Sequence, residues 1–158
     1  MSIPHALPSV IPGDELRDLL AVLAETSTLT LATTDPDGTP RATPVYFTAT
    51  PAAALVFLSD PSTPHAKNLS DRPATAAAAY PDVEDWRDIR GVQMKGTAGR
   101  LTTDAAEDAL ELYRRRFGFL SQVPAALDRM SVYLFRPRWA RLIDNRRGFG
   151  FVREWKLD

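Results

Sequence analysis

Cysteine is missing from the 158 residues of this chain. Its absence excludes disulfides, thiolate catalysis and cysteine-ligated zinc. There are two histidines, His5 and His65, too few for a transition-metal site built from protein ligands. No apolar run approaches the roughly 20 residues that a membrane helix needs. The first twelve residues lack the basic start and apolar stretch of a signal peptide, so the cytoplasm is the expected location. No Gly-x-Ser-x-Gly turn offers a nucleophilic serine. Charge of one sign is also wanting: 20 acids face 19 bases, a net charge of -1. That balance gives no general electrostatic reason to bind nucleic acid.

What remains is a chain long enough for one domain with a real core. Residues 1–13 read as an N-terminal arm and residues 14–158 as a single domain. Asp14 is the expected cap of a helix with Leu16, Leu19, Leu20 and Leu23 on one face. Thr28 to Thr33 alternates as a half-buried strand. Asp35-Pro36-Asp37-Gly38 is a turn, so Thr39 to Thr48 pairs back as a hairpin. Pro40 and Pro44 place that second strand at an edge or a bulge. Arg41, Thr43, Val45 and Phe47 share one of its faces.

The stretch from Leu55 to Pro73 carries the clearest chemistry. Leu55 to Leu58 reads as a buried strand, and Thr63-Pro64 as the start of a short helix ended by Pro73. Its first turns hold His65 and Lys67 and no acid, the reverse of the usual preference. A phosphate at the helix start would reconcile that sign with the free N–H groups. A solvated lysine on a surface helix is the plain alternative. Ala74 to Tyr80 lies between two prolines and reads as a strand. Its small side chains leave room for a flat ligand, a partner subunit or a bulky helix.

Gly91 to Leu101 is a further alternating strand, bent at Gly96 and Gly99. Thr103 or Asp104 starts the main helix, whose Ala106, Leu110, Tyr113 and Phe117 form a core stripe. Ser131 to Asp144 is a long strand with Pro137 as a bulge or break. Phe149 to Trp155 closes the chain as a last strand. Six arginines lie between Arg136 and Arg153. In the tail, Phe149, Phe151 and Trp155 are expected on one face. Arg146 and Arg147 either offer a cation to a ligand or lie solvated. Strands with helices between them, ending in a hairpin, point to a mainly β protein with flanking helices, a closed or split barrel.

The order of these pieces resembles a known family. Asp37-Gly38-Thr39-Pro40-Arg41 leads into Val45-Tyr46-Phe47. Val56-Phe57-Leu58-Ser59-Asp60, His65-Ala66-Lys67-Asn68-Leu69, Asp71-Arg72-Pro73 and Arg90-Gly91-Val92-Gln93-Met94-Lys95-Gly96 follow. Over roughly residues 14 to 145 this succession is similar to the flavin-binding split-barrel superfamily, the pyridoxamine 5'-phosphate oxidase-like proteins. The resemblance implies an FMN-binding homodimer with the flavin at the interface. It implies a flavin-dependent oxidoreductase acting on a small molecule. Lys67 and Arg41 would sit near the phosphate, with His65 close by. Val45, Tyr46, Leu58 and Ser59 would line the isoalloxazine. Gln93 would reach toward the flavin of the neighbouring site. A deazaflavin coenzyme in the same groove, or non-catalytic flavin or haem binding, are the alternatives. The arginine and histidine with which the oxidase holds its substrate near its C-terminus have no clear counterpart.

Overall fold

The computed structural model describes residues 11–157. Most of the expected arm lies outside the described residues. Helix α1, Gly13–Ala24, follows Pro12, whose carbonyl accepts from the Leu16 amide. Asp14 is therefore not the cap; it sits with Glu15 in the first turn, where acids complement the helix dipole. Leu19, Val22 and Leu23 are buried on the face turned to the barrel. Each such side chain contributes about 1.5–3 kcal/mol on burial.

The strands are β1 (Thr28–Thr34), β2 (Pro40–Ala49), β3 (Leu55–Ser59), β4 (Ala74–Ala79), β5 (Arg90–Arg100), β6 (Ser131–Asp144) and β7 (Val152–Lys156). Helix α2 spans Pro64–Asp71, α3 Asp104–Arg116 and α4 Pro124–Leu127. The strands follow the order β3-β2-β1-β4-β5-β6-β7, and β3 also pairs with β6. Six antiparallel strands thus close a barrel, and β7 extends it beyond β6. The expected mainly β split barrel with flanking helices is the architecture found. No helix among the described residues is long and apolar enough to cross a membrane.

Alternation explains two cores. Leu55 and Phe57 point into the barrel with Leu31, Phe47, Met94 and Phe135. Val56 points outward with Val132 and Leu134, where Ala109, Tyr113, Phe117 and Leu120 cover them. A strand covered on both faces needs the unbroken apolar run that this stretch has. The β5–β6 ladder shifts register between Lys95 and Gly96. There a Cβ on Gly96 would stand 2.0 Å from the Arg136 carbonyl oxygen, so the close approach requires glycine. Gly99 meets no such crowding.

The tail departs from expectation. Gly148 and Gly150 take φ of 127° and 73°, so Phe149 precedes β7 instead of joining its face. Phe149 stands exposed against Trp86, while Trp155 packs on the core beside α1. Arg146 is bound to the buried Asp144 at 2.8 Å, and Arg147 pairs with Asp18 at 2.6 Å. These guanidiniums tie the tail to Asp144 and to α1 while staying exposed to solvent. Their charge is met by carboxylates of their own chain, which leaves no free cation for a ligand.

Candidate functional site

The site begins where β2 and β3 part. They pair only over Phe47↔Phe57, Thr48↔Val56 and Ala49↔Leu55. Beyond this, Pro44 to Tyr46 on one side and Leu58 and Ser59 on the other diverge around a cavity of about 410 Å³. That volume falls in the range of roughly 300–1,000 Å³ common to small-molecule sites. Because the Phe47 amide donates to the Ser27 carbonyl, odd residues of β2 turn their polar groups to β1. The N–H and C=O of Tyr46 then point into the opening, and its carbonyl accepts from the Tyr113 hydroxyl at 3.4 Å.

One end of the cavity is polar. Ser59 Oγ and His65 Nε2 share a hydrogen bond of 2.7 Å, both residues being buried. Thr63 Oγ1 lies 3.4 Å from the same ring nitrogen and donates at 2.7 Å to the Asp60 carbonyl. Thr63 therefore precedes α2 as expected, but its hydroxyl does not cap the helix. Pro64 has no amide hydrogen, and the amides of His65 and Ala66 find no backbone acceptor on the preceding turn. Burial, reinforced by the positive field of Arg41, holds the His65 pKa below its ordinary value. The ring is thus kept neutral beside the free helix end.

A second network lies behind this end. Asp35 takes two hydrogen bonds from Arg41, Nε and a terminal nitrogen each at 2.8 Å. Asn68, buried on α2, donates to Asp35 at 2.7 Å and to Thr33 Oγ1 at 3.1 Å. Arg72 donates to the Thr34 carbonyl at 3.0 Å and reaches Asn68 Oδ1 at 3.4 Å. The Arg41 bonds, followed by that from Asn68, hold the Asp35 carboxyl below the usual range. Arg41 is thus half-committed: one terminal nitrogen stays uninvolved. Lys67 is exposed on α2 and forms no ion pair among the described residues.

Of the residues expected at the site, Val45, Tyr46, Leu58, Ser59 and His65 line this one cavity. Arg41 and Lys67 stand on the elements behind its polar end. Gln93 does not join them within the chain. It lines a separate cavity of about 340 Å³, with Ala78, Tyr80 and Ile89. The sequence reading missed Asn68 and Arg72 as organising groups, although both fall in the stretches that carried the resemblance. It also missed the far wall, made by Tyr113 and residues 119–130. Tyr113 was expected only in the core stripe of α3; it is buried there and faces the cavity as well. The sequence between Phe119 and Met130 reads as a loop with a short helical turn after Pro124, which α4 matches, but nothing in it marks a cavity wall.

Comparison with known proteins agrees with this architecture. A UPF0306 protein of Klebsiella pneumoniae is 30% identical over 105 residues, covering 66% of this chain and 68% of that protein. The chain spans 65–68% of the length of the curated relatives it matches. The solved heme binding protein from Mycobacterium smegmatis superposes with a TM-score of 0.74 at 23% identity, over 92% of this chain and 58% of that one. A Clostridium acetobutylicum protein, described as related to general stress protein 26 and of the pyridoxinephosphate oxidase family, gives 0.69 at 15% identity. It is covered over 96% of its length and 92% of this chain's. At these identities the two structures share the fold. The family described as pyridoxamine 5'-phosphate oxidase matches residues 14–144, the whole six-stranded barrel without the added β7, and the chain belongs to that family.

Proposed function

We propose that the chain binds FMN in the opening between β2 and β3 and acts as a flavin-dependent oxidoreductase. The observation that carries this reading is the polar end of the cavity. It has a helix start with unpartnered amides, a neutral buried histidine and an unpaired Lys67 on the same helix. Free amides at a helix N-terminus together with a lysine suit a phosphate monoester. Arg41 adds its uninvolved nitrogen, held in place by Asp35. The donor set therefore fits a flavin phosphate. Along the opening, the Tyr46 amide and the Ser59 hydroxyl are polar groups for the edge of a flat ring, with Val45 and Leu58 beside them. Bound FMN supplies the redox chemistry. The chain's own residues bind and orient it and keep water from the apolar side.

A homodimer belongs to the same proposal. Ala32, Ala42, Ala76 and Ala78 lie on the outer face of β2, β1 and β4, which are paired side by side. This face of small side chains continues into the cavity that holds Gln93. A second copy docked on it would bring Gln93 toward the neighbouring site. The name of the Mycobacterium smegmatis structure invites a haem reading. Among the residues lining the cavity the one imidazole is that of His65, and its Nε2 is engaged by Ser59 at 2.7 Å. That engagement favours flavin. A deazaflavin coenzyme would use the same opening.

The test is an absorption spectrum of the purified protein, followed by titration with FMN, riboflavin, a deazaflavin and haemin. FMN should bind more tightly than riboflavin by about tenfold or more, one charged hydrogen bond's worth. Lys67→Ala should shrink that ratio. Equal affinity for FMN and riboflavin would remove the phosphate site, and a haemin-only response would replace flavin altogether.

A further inference from the structure

The cavity has a second half that a cofactor phosphate does not explain. Tyr46, Phe119, Val123 and Met130 all line it, and they are 49%, 42%, 42% and 39% exposed. They make up half of the eight large apolar side chains left exposed among the described residues. Four such groups gathered about one opening mark a binding surface more than a random scatter does. Tyr46 comes from β2; the other three come from residues 118–130, the 3₁₀ turn Gly118–Gln122, helix α4 and the residues flanking it, which roof the opening. The rings are arranged as edges and faces: Tyr46 lies 5.4 Å from Phe117 and 5.7 Å from Phe119, and Phe117 lies 5.8 Å from Phe119. A planar molecule can extend such a cluster.

Charge narrows the choice. The one charged side chain lining the cavity is Asp60, an acid. Arg116, the nearest cation on α3, is turned away. It donates to the carbonyls of Phe47 at 3.0 Å and Thr26 at 2.5 Å, and lies over the Phe47 ring. Arg129 is not among the lining residues, and its field is the last of the causes that lower the Asp60 carboxyl, after the hydrogen bonds from Ser62. Burial pushes the Tyr113 hydroxyl up to about 12, so it stays neutral. An anionic group set against this wall would be desolvated with no cation among the side chains lining it, which costs more than any apolar contact returns.

We propose that the roofed half of the cavity takes a neutral, flat, apolar substrate and rejects a phosphorylated one. This rests on the reading that FMN fills the polar half, because the roofed half is then where a substrate meets the flavin. The binding preference itself follows from the wall.

A matched pair of probes tests it: 2-naphthol and 2-naphthyl phosphate, titrated by calorimetry into the FMN-loaded protein. The neutral probe should bind more tightly by at least about tenfold. Val123→Lys places a cation on the wall and should narrow that ratio severalfold. Phe119→Arg does the same from a second position, should the first variant fail to fold. Equal or tighter binding of the phosphate by the FMN-loaded protein overturns the proposal, as does an unchanged ratio in both variants. Failure to load FMN would overturn the cofactor reading alone. The response of the probe pair to Val123→Lys on the unloaded protein would then decide for or against the wall.

Discussion

Asn68 is the residue through which fold and site are joined, and its replacement makes a sharp test. It is buried on α2 and bridges β1, through Thr33, to the carboxylate of Asp35 that holds Arg41. Asn68→Ala removes both donors and leaves a small void under the helix. Losing a buried, doubly bonded amide costs roughly 1–3 kcal/mol. With a urea slope of about 1–3 kcal/mol/M, the unfolding midpoint should fall by roughly 1 M. FMN affinity should fall further than riboflavin affinity, because Arg41 and the start of α2 lose their common anchor. Asn68→Asp is the stricter variant. It sets a second carboxylate against Asp35 across a 2.7 Å contact, so at neutral pH it should be less stable than Asn68→Ala. Urea melts of both variants, with parallel flavin titrations, decide the matter. If Asn68→Asp is as stable as the parent protein at neutral pH, the network does not hold the site together.

Two other outcomes follow from the same geometry. His65 has a folded pKa below its ordinary value of 6.5, so its share of stability is present above that value. It is lost as pH falls toward the folded pKa, because the unfolded chain then binds the extra proton. Urea midpoints should therefore drop between about pH 7 and pH 5 in the parent, and drop less in His65→Asn; parallel slopes would exclude His65 as the source. Gly96→Ala would drive a methyl into the Arg136 carbonyl and should lower stability by about 1–3 kcal/mol; an unchanged melting temperature would show that the bulge can relax.

Much of the barrel was legible because its signals are local. Alternation at Thr28 to Thr33, the Asp35 to Gly38 turn and the apolar run at Leu55 each name a strand or its end. The seven residues from Ala74 to Tyr80, rich in a helix former, were legible as a strand only through their bracketing prolines. The site was legible in part: Val45, Tyr46, Leu58, Ser59 and His65 do come together. What failed were features made by contact across the chain. Asn68 and Asp35 are 33 positions apart, and no periodicity announces their bond. The tail was misread because strand alternation was carried through Gly148 and Gly150. Their positive φ values break the face before β7 starts.

The opening between β2 and β3 is itself written in two prolines. Since odd residues of β2 bond to β1, the even ones face the β3 side. Pro40 and Pro44 are even, so each removes an amide donor from the side where β3 would continue the ladder. A longer β3 could not pair there without leaving carbonyls unmatched. The two strands are accordingly joined only from Phe47 onward, and the wedge before it is open to α2. Tyr46, the even residue between Pro44 and the first paired position, keeps its amide and presents it to the wedge. The site thus arises where the ladder is chemically prevented from closing. Replacing Pro44 restores a donor to that edge, and the same donor then competes with whatever the cavity binds.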